Sequence, residues 1–220
     1  MKQIKNLLRT AAVLCAAGAI LLSSAGCRSM IELVRMDEAA RKTATTLDLA
    51  QLVSQKEGYH FPGFSWGGGF GDLQRSLNYP VTEFEGYTDR EEVYTADYLR
   101  KIVFGRENVS ASIGLMDDVV TFVSLRFDNS DATDPLDQYD ARLLAELVRL
   151  FGQPAETVTS NETVNDMNYQ MKTTVWEMEV NGRLTSLQWG TATLPATTVP
   201  AFASLGVSWT STTEENGEAK

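Results

Sequence analysis

The sequence predicts an α+β fold: two tandem units, each a helix followed by an antiparallel meander, with helices covering one face of each sheet. Three observations predict it. Residues 71–80 lie on residues 145–154 at a shift of 74, with Leu73 on Leu147, Arg75 on Arg149 and Pro80 on Pro154. Residues 122–127 lie on residues 202–207 at a shift of 80, and the six extra residues fit the loop at 190–200. Within each unit the apolar spacing changes from helical to alternating, which is the signature of helix followed by strand.

The elements follow in order. Residues 31–55 lean helical, with Leu49, Leu52 and Val53 as the apolar face and Gly58 as the stop. The first unit, 46–130, takes its helix from the aligned segment 71–80. Its strands follow at 98–104, 109–115 and 119–127, with turns at 105–108 and at Asp117-Asp118. In the second unit, 131–210, Asp140 is the expected N-cap. Leu143, Leu144, Leu147, Val148 and Phe151 form one helical stripe, and Gly152 and Pro154 end it. Strands are expected at 171–180, 183–189 and 201–209, the first two joined by an Asn181-Gly182 hairpin turn. Residues 211–220 are polar and acidic and read as a frayed tail.

Alternation assigns the sheet faces. Val123, Leu125, Phe127, Ala203, Leu205 and Val207 are expected under the helices. Ser124, Arg126, Ser204 and Ser208 point the other way with Phe122 and Phe202, the two candidate partner-contact anchors. Trp176, Met178 and Val180 read as sheet core. Trp66, in a Gly-rich loop, is a third partner-contact candidate, since an exposed tryptophan suits an interface.

The N-terminus reads as an address. Lys2, Lys5 and Arg9 precede an apolar run at 10–22, and Ser23-Ser24-Ala25-Gly26 leads into Cys27. Positive region, short apolar core and small-residue zone make a secretion signal, residues 1–26. The apolar run falls short of the roughly 20 residues a bilayer span needs. The Ala-Gly-Cys ending resembles the bacterial lipobox, with Ser24 where leucine is usual. That resemblance implies a diacylglyceryl group on the Cys27 sulfur, cleavage before it, and a tether over 27–45. The lipidation site is Cys27, and the expected place is a membrane-anchored lipoprotein facing the periplasm or the cell exterior. Two acyl chains, at about 0.8 kcal/mol per buried methylene, anchor stably where one does not.

Composition bounds the activity. The chain holds 29 acidic against 19 basic residues, and three of the basic ones leave with the signal, giving a formal charge of −13 thereafter. Such a surface repels nucleic acid and anionic headgroups, so no nucleic-acid partner is expected. Cys15 leaves with the signal and Cys27 is acylated, so no disulfide or cysteine metal site remains.

A helix ending in Phe151-Gly152-Gln153-Pro154, followed by a meander and duplicated in tandem, resembles the β-lactamase-inhibitor-protein fold. It is also similar to small lipoproteins of outer-membrane assembly, which carry a single unit. The first copy has Leu77-Asn78-Tyr79-Pro80 in place of the turn. The resemblance implies a fold that binds proteins with an open sheet face, and it carries over no inhibitory residue.

Chemical motifs are weak. Gly63-Phe64-Ser65-Trp66-Gly67 matches the nucleophile elbow, but that motif needs strand, helix and a later His, and the only histidine is His60. The same loop lacks a Gly-Lys-Ser/Thr and a completed Gly-x-Gly-x-x-Gly for phosphate. Asp128, Asp131, Asp134, Asp137 and Asp140 recur every three residues without a glycine, which reads as an acidic linker entering a helix; calcium there stays open. One histidine makes no multi-histidine zinc site. The expectation is therefore a non-catalytic lipoprotein without cofactor or metal, binding an envelope protein or acting structurally. The alternatives are a hydrolase using paired carboxylates and a glycan- or peptidoglycan-binding module.

Overall fold

The computed structural model describes residues 44–69, 72, 82–88, 91–95, 99–130, 133–164 and 166–212. In chain order the strands begin with β1 (Thr45–Leu47), β2 (Val53–Ser54) and β3 (Gly58–Tyr59). Next come β4 (Thr82–Thr88), β5 (Glu91–Thr95), β6 (Lys101–Val103), β7 (Arg106–Glu107), β8 (Ser110–Met116) and β9 (Val119–Asp128). After the helix α1 (Leu136–Phe151) follow β10 (Glu156–Val164), β11 (Met167–Val180), β12 (Arg183–Thr193) and β13 (Pro200–Ser211). Asn181 and Gly182 both take positive φ, 53° and 71°, as the tight turn between β11 and β12 requires.

Eight strands form one antiparallel sheet in the order β10-β11-β12-β13-β9-β8-β5-β4. The first four and the last four each run as a meander, and the meanders meet at their final strands. There Leu125 lies opposite Leu205. The shift of 80 that lays 122–127 on 202–207 also maps Leu125 onto Leu205, the offset a local twofold at that pair generates. Two small sheets, β1-β6-β7 and β2-β3, flank the large one.

This fold corrects the expected one. The described residues are mostly strand, with one α-helix and one continuous sheet in place of two helix-covered units. The helix expected at 71–80 lies outside the described residues apart from Asp72, as do the signal, Cys27, the tether to residue 43, and residues 213–220. The helical lean of residues 31–55 fails where it can be seen. Asp48 caps a single 3-10 turn, Leu49–Leu52, by accepting from the Ala50 N–H at 3.0 Å, and β-branched residues on either side are extended. Leu49 and Leu52 are buried all the same, because a spacing of three places both on one side of a 3-10 turn. Strands β4, β5 and β10 have no counterpart in the sequence reading. Their threonines and glutamates hide the apolar alternation on which strand recognition rests.

Helix α1 begins four residues before its expected cap. Pro135 precedes it, the Leu136 N–H donates to Asn129 Oδ1 at 2.9 Å, and Asp140 instead accepts from Trp189 Nε1. Leu136, Tyr139, Leu143 and Leu147 make the buried stripe, and Gly152 ends the helix at φ 81°. The stripe packs on Val123, Leu125, Phe127, Ala203, Leu205 and Val207, the face that alternation assigned to the helix side. Residues 44–69 cover the rest of that face. Tyr59 meets Phe151 edge-on at 5.6 Å, and Phe61, Phe64 and Trp66 are buried in the same core. Thr185 Oγ1 pins this segment, accepting from the Tyr59 N–H and donating to the Met178 carbonyl, each at 2.9 Å.

On the opposite face Phe122 stands directly across from Gly114, and its ring fills the space a Cβ at 114 would need. Gly114→Ala should therefore lower stability by about 1–3 kcal/mol through overpacking. Combined with Phe122→Ala, the second substitution should cost much less than it does alone, a coupling that denaturant melts of the four proteins would read. Additive effects would show that the ring and the glycine are independent.

Candidate functional site

The sheet face turned away from α1 is paved with small polar side chains. Register places Thr173, Gly190, Ser204, Arg126 and Ser110 in one line across five strands. Beside it run Val175, Gln188, Gly206, Ser124 and Ser112. The next line holds Glu177, Ser186, Ser208, Phe122 and Gly114. The period-2 alternation that buries leucine, valine and tryptophan under the helix delivers hydroxyls and glycines here. Thr173, Ser204, Ser124, Ser110, Ser112, Ser186 and Gln188 are all buried, between 3% and 8% exposed.

Part of this lining is hydrogen-bonded internally. Ser186 Oγ and Ser208 Oγ lie 2.8 Å apart, and Gln188 Nε2 donates to Ser186 Oγ at 3.0 Å. Gly190 and Gly206 add no side chain between their serine and threonine neighbours, which keeps the floor low at the middle of the sheet. At one end Tyr169, Met171, Ala192 and Phe202 form a second apolar cluster, with Tyr169 edge-on to Phe202 at 5.5 Å. The Arg126 guanidinium lies over the Phe202 ring, 4.5 Å from its centre. Burial pulls the Arg126 pKa below its usual value, while Asp128 and Tyr169 push it back up. At the other end Phe122 forms the wall. The result is a polar trough between aromatic ends.

The three aromatic anchors expected at a partner surface take other roles. Phe122 is 6% exposed, Phe202 5% and Trp66 5%. Phe122 covers a glycine, Phe202 carries the guanidinium, and Trp66 Nε1 donates to the Tyr59 carbonyl at 2.8 Å inside the core. Alternation gave the right face for both phenylalanines but not their burial, because large rings fold down over glycine and small neighbours. The large apolar side chains that are exposed among the described residues sit at hairpin ends: Phe104, Met116 and Met167.

Two carboxylates at the β10 side of the trough escaped the sequence reading. Glu156 stands beside Val175, and Glu177 is two residues further along β11 on the same face. Glu156 Oε1 is buried with no hydrogen-bond partner among the described residues. Desolvation raises the Glu177 pKa above its ordinary 4.5, and the nearby Glu156 charge raises it further. A glycosidase places its two acids on either side of the bond to be cut. Glu156 and Glu177 instead stand on one face of neighbouring strands, Glu156 opposite Val175 and Glu177 two residues further along.

The other motifs resolve structurally. Phe64 and Trp66 enter the core, Ser65 is exposed, and turns flank it, so the nucleophile elbow lacks its strand and helix. His60 is half-buried, its N–H donating to the Leu52 carbonyl at 3.0 Å. In the aspartate run, Asp128 Oδ1 accepts from the Ser130 N–H and hydroxyl, Asp134 pairs with Arg142, and Asp137 sits in the first turn of α1. Asp131 lies outside the described residues. Among the described residues no group of three or more acidic, histidine or cysteine side chains is placed to hold a metal ion. No helix of the described residues is long and apolar enough to cross a membrane. Arg106 holds the two ends of the aspartate loop: its guanidinium donates to the Asp128 and Asp134 carbonyls and lies 5.3 Å from the centre of the Tyr139 ring. The Tyr139 hydroxyl donates to the Val103 carbonyl at 2.7 Å, and burial pushes its pKa well up.

No protein-family model, no curated protein and no solved structure matches this chain.

The Glu177 carboxyl sets a pH dependence. The folded protein holds its proton more tightly than the unfolded chain, so the ionised form costs stability above the raised pKa. That cost is relieved as pH falls through the folded value and is gone below the ordinary value of 4.5. Glu177→Gln should therefore raise the thermal midpoint at pH 7–8 and flatten the profile between pH 7 and 4.5. A variant less stable than the parent at pH 7 would show that the carboxylate is held by favourable contacts instead.

Proposed function

We propose that the protein is a lipid-anchored, non-catalytic module of the bacterial envelope, held at the membrane through Cys27 and acting by binding a protein partner or as a structural element. The observation that carries the binding half is the trough. A sheet face meant only for a dry core would be apolar, whereas this one holds serine, threonine and glutamine across five strands. Buried hydroxyls need partners, and a polar face shielded from solvent is kept where polar groups meet it. Small side chains let another backbone approach closely, and hydroxyls both donate and accept, which suits recognition of a polypeptide. The anchoring half rests on the charge, apolar core and small-residue order that ends at Cys27.

The alternatives receive less support. A glycan-binding module wants a ring face free for stacking, and Phe202 carries the Arg126 guanidinium on its face while Phe122 lies over Gly114. A carboxylate-pair hydrolase wants opposed acids, and Glu156 and Glu177 are neighbours on one face.

Each half has its own test. Cys27→Ser should abolish incorporation of labelled palmitate and move the protein from the membrane to the soluble fraction. Labelling that survives the substitution would sink the anchor assignment. For binding, the double variant Ser124→Ala/Ser204→Ala removes two trough hydroxyls while keeping the shape. Its thermal midpoint should stay within a few degrees of the parent, since each change removes one oxygen without adding volume to the sheet. Its yield of crosslinked partner in native membranes should fall. A large loss of stability with unchanged crosslinking would show that these hydroxyls serve the fold alone.

A further inference from the structure

The strand β10 closes one side of the eight-stranded sheet, and among the described residues nothing pairs with its outer edge. Exposed edges are ordinarily blunted by lysine, proline, bulges or short length, because a free row of N–H and C=O groups recruits another strand. The opposite edge obeys this rule: the register of β4 against β5 is interrupted between Phe84 and Thr88. Strand β10 does not. It runs nine residues, Glu-Thr-Val-Thr-Ser-Asn-Glu-Thr-Val, in unbroken register with β11, and contains no lysine, arginine, proline or glycine. Thr157, Thr159, Asn161 and Thr163 are exposed along one side of it.

The strand is also complementary to itself. Antiparallel pairing of two copies about Ser160 engages all nine residues. It sets Thr157 against Thr163 of the second copy, Thr159 against Asn161, Val158 against Glu162, and Glu156 against Val164. No carboxylate faces a carboxylate. Moving the twofold to Thr159 would place Glu156 opposite Glu162, a like-charge pair that destabilises a sheet, and would leave two residues unpaired. Moving it to Asn161 also leaves two unpaired. Cross-strand threonine pairs are favourable, and an interface built on a twofold uses the same patch on both copies. We propose that β10 is a homodimer edge: two copies of this chain join through antiparallel β10 strands centred on Ser160, making one continuous sheet across the pair.

Disulfide trapping in membranes from cells expressing the full chain tests the register. Ser160→Cys, placed at the twofold, should give a disulfide-linked dimer under mild oxidation that reducing agent dissolves. Thr157→Cys alone should give none, because its counterpart is six residues away along the strand. Thr157→Cys/Thr163→Cys should restore the crosslink. The parent chain treated alike controls for Cys15 and Cys27. A second measurement guards against a cysteine that disturbs the strand. Detergent-solubilised parent should sediment as a dimer, and Thr159→Lys/Asn161→Lys, which sets lysine opposite lysine twice, should halve the protein mass. A monomeric parent overturns the proposal. So does equal trapping at Thr157 and Ser160, or trapping of a product whose mass is not twice the chain.

Discussion

Everything in this molecule depends on the pairing of β9 with β13. Leu125 meets Leu205 there, and each strand already carries a meander on its other side. Because side chains alternate, fixing this one register fixes which residues of β9 and β13 face α1. A slip of one residue would turn one strand's set, either Val123, Leu125 and Phe127 or Ala203, Leu205 and Val207, away from α1. It would push Ser124 and Arg126, or Ser204, against its leucines. The energetic asymmetry is large, since each fully buried aliphatic or aromatic side chain is worth about 1.5–3 kcal/mol relative to exposure. The helix and the 44–69 segment then act as a lid whose apolar stripe matches only one of the two faces. Trp189 and Trp176 stitch the helix down through their ring N–H groups, to Asp140 and the Gly152 carbonyl, while Trp209 donates to the Val120 carbonyl within the sheet.

The other face answers a different constraint. Having spent its apolar alternation on the helix side, the sheet offers polar residues to the reverse, and these are shielded as well. Shielded hydroxyls are tolerable only when satisfied, and Ser186, Ser208 and Gln188 satisfy one another. Charged groups are kept to the margins: Arg126 rests on an aromatic ring, and Glu156 and Glu177 stand on the β10 side. Glu177 is left with a carboxyl that desolvation makes harder to ionise.

How much of this was legible in the sequence depended on signal strength element by element. Strands β8, β9, β11, β12 and β13 carry clear alternation, and the Asn181-Gly182 turn leaves little choice of connection. The sheet faces follow directly from them. The helix was legible from Leu143, Leu147 and Gly152, but its start was not. Asp140 has the composition of a cap, yet its carboxylate is drawn to Trp189 on a strand 49 residues away, a tertiary contact no local rule contains. Strands β4, β5 and β10 were illegible because a Thr- and Glu-rich strand lacks the apolar period that pattern reading needs. The helical lean expected over residues 31–55 also over-read Leu49, Leu52 and Val53, whose spacing fits a 3-10 turn as well as a helix. Burial of Phe122, Phe202 and Trp66 was beyond reach for a related reason. Alternation says which side a ring is on, and only cross-strand glycines and packed loops say whether it is covered.

The seam also decides which edges the protein exposes. By consuming the last strand of each meander, it leaves the two first strands, β4 and β10, as the ends of the sheet. Quasi-equivalent positions would be expected to receive equivalent protection, and they do not. The β4 edge is broken by an irregular register, while β10 keeps nine residues flat and in line. The chain's excess of acid is no explanation, since both strands contain glutamate. Nor is length a consequence of folding stability, because the outer residues of β10 carry exposed threonines and asparagine that add little to the core. The long regular edge therefore adds little to the fold of one chain, and its lack of positive charge leaves a backbone edge open to a neutral or complementary strand. If the proposed Cys27 anchor holds neighbouring copies at high local concentration, such an edge would act at contact energies too small to matter in dilute solution.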